Sequence, residues 1–281
     1  MRLGLIDTWM SERYLPFWRA YLAELGVERI EPKLPASEAL ARIEEPWPRP
    51  ARLLAARALE LKARGAEAIL APEAAGESPR GSGQCPWSVD PASMLERVLP
   101  GLPPLVRVPP ELAEGVLGLA ARIGQELVQN PQEVRRALDR SRYLLKPYKP
   151  PAMPRGERLL GLAAMPYLAE DERLYPEVRQ AAEAAGWTLA RPDASPERLR
   201  EEGQRTGLKI DLPTDLEFAG AAHYLSRLGR VDALLLLVED HCPALERLAR
   251  KLAAQAPKPV AVHVLGEDPE EALRRIQKAK R

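Results

Sequence analysis

With 281 residues, 46% of them hydrophobic, the chain has apolar content enough for one large core or two medium ones. Its 41 basic and 40 acidic residues nearly cancel, which excludes the global field expected of a protein that binds nucleic acid or an anionic membrane. No stretch approaches the ~18 to 20 apolar residues of a membrane span, and the run after Met1 is too short for a secretory signal, so a cytoplasmic location is expected.

In chain order, residues 2–6 predict a short strand. Tyr14, Phe17, Trp18, Tyr21, Leu22 and Leu25 then fall on one helical face that Gly26 ends. At this spacing the aromatic side chains predict core packing rather than a ligand platform. A second strand is predicted over residues 27–31, then a short helix with Ser37 as its N-cap. After the proline-broken loop 45–50, residues 53–64 predict a helix stopped by Gly65, and residues 66–70 a third strand. A long polar loop over 72–90 contains Gly76, Gly81, Gly83 and Cys85-Pro86-Trp87. A helix near 92–99 and a strand near 105–108 follow.

A similar order returns from residue 159. Leu160-Gly161-Leu162 mirrors Leu3-Gly4-Leu5, and residues 219–237 mirror 51–70, each an Ala-rich helix, a glycine, then an acidic residue inside an apolar strand. The halves read as two copies of one unit. Between them residues 111–145 are predominantly helical, and the proline-rich piece 146–154 is an extended, semi-rigid boundary. Strands alternating with helices of this length indicate parallel sheets. The expected architecture is α/β, with a Rossmann-like domain over 1–110, a helical connector and proline-rich linker over 111–154, and a second Rossmann-like domain over 155–281. A cleft is expected between the carboxyl edges of the two sheets.

The unbroken apolar run 234–238 suits a strand covered on both faces, and it ends in Glu239-Asp240-His241-Cys242-Pro243 before helical spacing resumes. That turn would lie at the sheet's carboxyl edge, where open α/β sheets place ligands. Two cysteines make no disulfide framework. Cys85 and Cys242 nevertheless occupy equivalent turns, each followed by proline, and facing sheet edges would point both sulfurs at one space. A thiol at a helix start is acidified by the unpaired amides, although an isolated cysteine is usually inert packing. Glu239, Asp240 and His241 read as ligands, acid/base groups or a solvated lip. No paired C-x-x-C, H-E-x-x-H, Walker loop, G-x-G-x-x-G after a strand, or G-x-S-x-G occurs. His223, in an Ala-rich helix, and His263, in the last strand, read as structural.

Arg13-Tyr14-Leu15-Pro16-Phe17-Trp18, running on to Leu25-Gly26, resembles the tyrosine-proline-tryptophan helix of the 2-hydroxyacyl-CoA dehydratase-like proteins. These are related to the D component of 2-hydroxyglutaryl-CoA dehydratase and to the uncharacterised domain fused to its activators. Ala164-Met165-Pro166-Tyr167 is similar to that family's Gly-His-Pro-Tyr, and Phe218-Ala219-Gly220-Ala221-Ala222 to its small-residue helix. Val231-Asp232-Ala233 through Cys242 is similar to its Val-Asp-Gly strand and cysteine turn. The resemblance implies a 4Fe-4S cluster held by three cysteines between Rossmann-like domains. An ATP-dependent activator reduces it, so that a ketyl radical forms on an acyl-CoA and water leaves.

Carried over, Cys85 and Cys242 match the second and third cluster ligands, whereas the first position reads Pro46-Trp47-Pro48. Pro243 replaces a glycine and Met165 a histidine. With one thiolate missing, Asp240, His241, an exogenous ligand or cysteines pooled across a dimer would complete the set. Pro46, Trp47, Met165, Tyr167 and Glu239 are the remaining cleft residues.

Three functions follow. The first is a dehydratase-like protein acting on an acyl-CoA with an activator or a second subunit. The second is a cluster-free binding or regulatory module of the same fold, taking a small anionic ligand or a partner protein. The third is a redox switch in which Cys85 and Cys242 form a disulfide.

Overall fold

A computed structural model describes residues 1–73, 85–112 and 115–279. Gly76, Gly81 and Gly83, expected in a flexible loop, lie outside the described residues. The chain divides into two units. The first comprises Met1–Glu45, Ala51–Ala75 and Pro86–Tyr148; the second comprises Lys149–Arg281 with Pro46–Pro50 and Gly76–Cys85.

In the first half, β1 (Arg2–Leu5), α1 (Ser11–Glu24), β2 (Glu28–Ile30), α2 (Ala36–Leu40), α3 (Arg49–Ala63) and β3 (Ala68–Pro72) follow in order. They are succeeded by α4 (Pro86–Val89), α5 (Pro91–Val98), β4 (Leu105–Val108), α6 (Val116–Val128) and α7 (Pro131–Ser141). The four strands form a parallel sheet in the order β2-β1-β3-β4. Ser37 is not the N-cap of α2: the cap is Pro35, and no side chain bonds the first amides. α7 does have a side-chain cap, Asn130, which accepts the amides of Gln132 and Glu133. The aromatic stripe of α1 packs as expected. Tyr14, Phe17, Trp18 and Tyr21 are fully buried, Phe17 stacks on Tyr21 at 5.7 Å between ring centroids, and the Tyr21 hydroxyl donates to the Ala120 carbonyl of α6 at 2.7 Å.

The second half contains β5 (Leu159–Ala163), α8 (Pro166–Ala169), α9 (Pro176–Ala184), β6 (Thr188–Ala190), α10 (Pro196–Gln204), α11 (Pro213–Arg227), β7 (Val231–Val238), α12 (Pro243–Gln255), β8 (Val260–Val264) and α13 (Pro269–Ala279). Its parallel sheet has the order β6-β5-β7-β8, the same pattern as the first. Each half therefore winds strands and helices alike, the repetition expected from the sequence. Two glycines fix how α10 and α11 cross. A Cβ on Gly220 would lie 1.7 Å from the Leu199 carbonyl oxygen, and one on Gly203 would lie 2.2 Å from that of Leu216. The small residues of α11 thus serve close helix packing.

β7 begins three residues earlier than the apolar run 234–238 indicates. The reason is Asp232. Its carboxylate accepts the Leu159 amide at 2.9 Å where the β5–β7 register shifts, so an acidic residue is accommodated inside the strand. Among the described residues no helix is long and apolar enough to cross a membrane.

Candidate functional site

β7 lies between β5 and β8, paired with both, and from Ala233 to Val238 it is buried throughout. This double cover is what the continuous leucine run requires. The Leu265 amide bonds the Val238 carbonyl at 2.9 Å, and the chain then turns through Glu239, Asp240 and His241 into α12. His241 takes the left-handed conformation, φ 58°, with its side chain exposed. Cys242 is the N-cap residue of α12, its own side chain makes no capping bond, and Pro243 starts the helix.

Cys85 belongs to the second unit together with Cys242, although 157 positions separate them in sequence. Neither thiol is in a disulfide, and Cys85 lies close enough to Cys242 to shift its protonation. Cys242 is buried and Cys85 partly exposed. The Cys242 thiol is pushed far up, first by Cys85, then by burial and by the neighbouring Glu239. It is therefore a retained S–H group at neutral pH. The helix-start acidification expected of this cysteine is overridden: its side chain makes no capping bond, and Cys85, burial and Glu239 all raise it.

Glu239 is 1% exposed and accepts a hydrogen bond from the Tyr167 hydroxyl. Burial, then the Cys85 sulfur, pushes its carboxyl up to about 8; Asp240 and Asp215 add to the rise, and the Tyr167 hydrogen bond offsets part of it. Asp215, in the first turn of α11, is pushed up to about 6 by burial, Cys85 and Asp211. The strongest influences on both carboxyls are acidic groups or burial, with no cation among them. Sequence reasoning missed Asp215; its only trace was its place two residues after Pro213 at a helix start.

Of the other expected residues, Met165 is buried immediately before α8, and Tyr167 within α8 is buried against Glu239. Pro46 is exposed and Trp47 partly buried, and both group with the second unit. Asp240 is half-buried. Its carboxylate accepts the backbone N–H of Arg49 at 2.7 Å, while the Arg49 guanidinium donates to the Leu174 carbonyl at 2.8 Å and to Glu177. Arg49 is a second residue the sequence did not single out. His223 bonds Glu202 through Nδ1 at 2.8 Å, and His263 is buried in β8 with its pKa lowered by that burial. A cavity of about 420 Å³ elsewhere in the second unit, lined in part by Tyr175, Arg179, Trp187 and Arg191, includes none of the expected residues.

No family model matches the chain, and no curated protein matches it. Among solved structures, a candidate Asp/Glu racemase from Yersinia pestis is 16% identical and covers 100% of this chain and 99% of its own, with a TM-score of 0.25. At that score the likeness supports no statement about activity. The resemblance to the 2-hydroxyacyl-CoA dehydratase-like proteins is corrected, since no family model and no curated protein matches the chain. The iron–sulfur-dependent dehydratase activity is withdrawn with it. Among the described residues no three His, Cys, Asp or Glu side chains are grouped so as to hold a metal ion. The chain carries only two cysteines, where a 4Fe-4S cluster takes about four cysteine ligands. The motifs behind the resemblance, such as a Val-Asp strand or a Pro-Tyr turn, recur wherever a buried strand feeds a proline-started helix.

Proposed function

We propose that the chain is a cluster-free regulatory module whose second unit carries a redox-active dithiol, Cys85 and Cys242. What supports it is that the two thiols, 157 positions apart in sequence, lie in one unit and close enough for Cys85 to raise the proton affinity of Cys242. Partly exposed Cys85 is the attacking sulfur and buried Cys242 the resolving one. Attack of the Cys85 thiolate on a small-molecule disulfide forms a mixed disulfide and expels one small thiolate. Cys242 then loses its proton to the Glu239 carboxylate and attacks the Cys85 sulfur, which forms the Cys85–Cys242 disulfide and expels the second small thiolate. Two protein thiols are oxidised and one disulfide is reduced to two thiols. Because Glu239 must be ionised to accept that proton, ring closure accelerates as pH rises through about 8.

The test is exposure of the folded, reduced protein to 2-hydroxyethyl disulfide, followed by mass spectrometry. The expected product is two mass units lighter, with Cys85 and Cys242 joined in one cross-linked peptide pair; that pair is absent from Cys85→Ala and Cys242→Ala. A stable mixed disulfide on Cys85 that never resolves would overturn the proposal.

A further inference from the structure

Three residues, Glu239, Asp240 and His241, separate the end of β7 from Cys242, and so decide where the buried sulfur sits. One of them, His241, is a non-glycine residue in the left-handed region at φ 58°. Such a conformation persists only where the surroundings impose it. Asp240 supplies the constraint that the structure shows, through its 2.7 Å acceptance of the Arg49 backbone N–H. That donor is itself held in place. Arg49 lies between Pro48 and Pro50, whose rings fix their own φ angles, and its guanidinium is bound by the Leu174 carbonyl at 2.8 Å and by the Glu177 carboxylate.

We infer that Asp240 is a positioning residue for the dithiol: anchored to the Arg49 amide, it fixes the turn that presents Cys242 to Cys85 and so sets how readily the two sulfurs join. This inference rests on the redox reading above. Toward Arg49, Asp240 acts as a hydrogen-bond acceptor, because the group it engages there is a backbone amide. Acceptor and charge separate cleanly in substitutions. Asparagine retains the acceptor oxygen at that position and removes the charge, whereas alanine removes both.

The experiment is equilibration of the full-length protein in mixtures of reduced and oxidised dithiothreitol, with the disulfide fraction read by alkylation and mass. Melting of each variant in its reduced form reports whether it is folded. Asp240→Ala is expected to lower the protein's effective thiol concentration by about tenfold, the equivalent of one lost hydrogen bond, while Asp240→Asn stays within about threefold of the unsubstituted protein. Arg49→Ala keeps the backbone amide but releases its anchor, and is expected to shift the equilibrium in the same direction as Asp240→Ala by about threefold or more. It decides the matter if Asp240→Ala does not fold. An unchanged equilibrium in the folded alanine variants, or an equal loss in Asp240→Asn and Asp240→Ala, overturns the inference while leaving the dithiol reading intact. Failure of the unsubstituted protein to form the disulfide at any ratio overturns both.

Discussion

The two units solve the same electrostatic problem in opposite ways. In the first, Arg57 of α3, 3% exposed at its side chain, lies 2.9 Å from the Asp7 carboxylate beyond β1 and 2.9 Å from Glu60. Glu60 also accepts the Leu34 amide at 2.9 Å, and although burial opposes it, these donors hold its carboxyl below the usual range. In the second, Glu239 beyond β7 is more deeply buried, 1% exposed against 7% for Glu60; among the described residues it has Tyr167 and acidic neighbours in place of a guanidinium, and its carboxyl is raised. A buried carboxyl is stable either as a paired anion or as a neutral acid. Only the second arrangement leaves a proton acceptor with an affinity near neutrality, which is why the chemistry is assigned there.

The largest expected effect breaks the neutral-acid half of that contrast. The ordinary carboxyl value of 4.5 applies to unfolded Glu239 and about 8 to the folded state, so between these pH values the unfolded chain releases a proton that the folded chain retains. The contribution of Glu239 to stability is fully present below pH 4.5 and is lost as pH rises through the folded value. At about 1.4 kcal/mol per pH unit, Glu239→Gln should gain up to ~4–5 kcal/mol over the unsubstituted protein at pH 9 and little at pH 4, as measured by urea unfolding. Arg57→Ala breaks the paired-anion half, stranding Glu60 and Asp7, and is expected to lose ~3–5 kcal/mol at pH 7 in the same assay.

Smaller effects sharpen the contrast. The Cys85–Cys242 disulfide would close a loop of roughly 150 residues and should stabilise the oxidised protein by ~2–4 kcal/mol. Its melting temperature should accordingly exceed that of the reduced form, a difference absent in Cys242→Ala. At His241, glycine takes positive φ without steric conflict, and His241→Gly should gain about 0.5–1 kcal/mol in the reduced state by denaturant titration. An equal loss instead would mean that the exposed imidazole contributes more than its backbone costs.

Much of the fold was legible because its causes are local. The leucine run of β7 predicts a strand covered on both faces, and the α1 aromatics predict a packed face. Misplaced boundaries also have local causes. Ser37 gave way to Pro35 as the cap of α2, and β3 starts at Ala68 rather than 66 because Gly65, at φ 82°, and the Glu67 amide bonded to the Arg2 carbonyl complete the turn first.

The site was half legible. Cys85, Cys242, Glu239 and Tyr167 were all singled out, but the short motifs that linked them to a cluster-binding family had no power to specify it. By itself the sequence determined two α/β units with a similar order of elements along the chain and placed an acid-and-cysteine turn at the end of the most apolar strand, because hydrophobic period and helix punctuation act over a few residues. Tertiary structure alone decided that Cys85 lies near Cys242, that Asp240 holds the Arg49 amide and that, among the described residues, acidic groups and Tyr167 surround Glu239 where a guanidinium pairs Glu60. Protonation and hydrogen bonding depend on groups brought within a few ångströms across more than a hundred residues of chain, and no local pattern encodes that proximity.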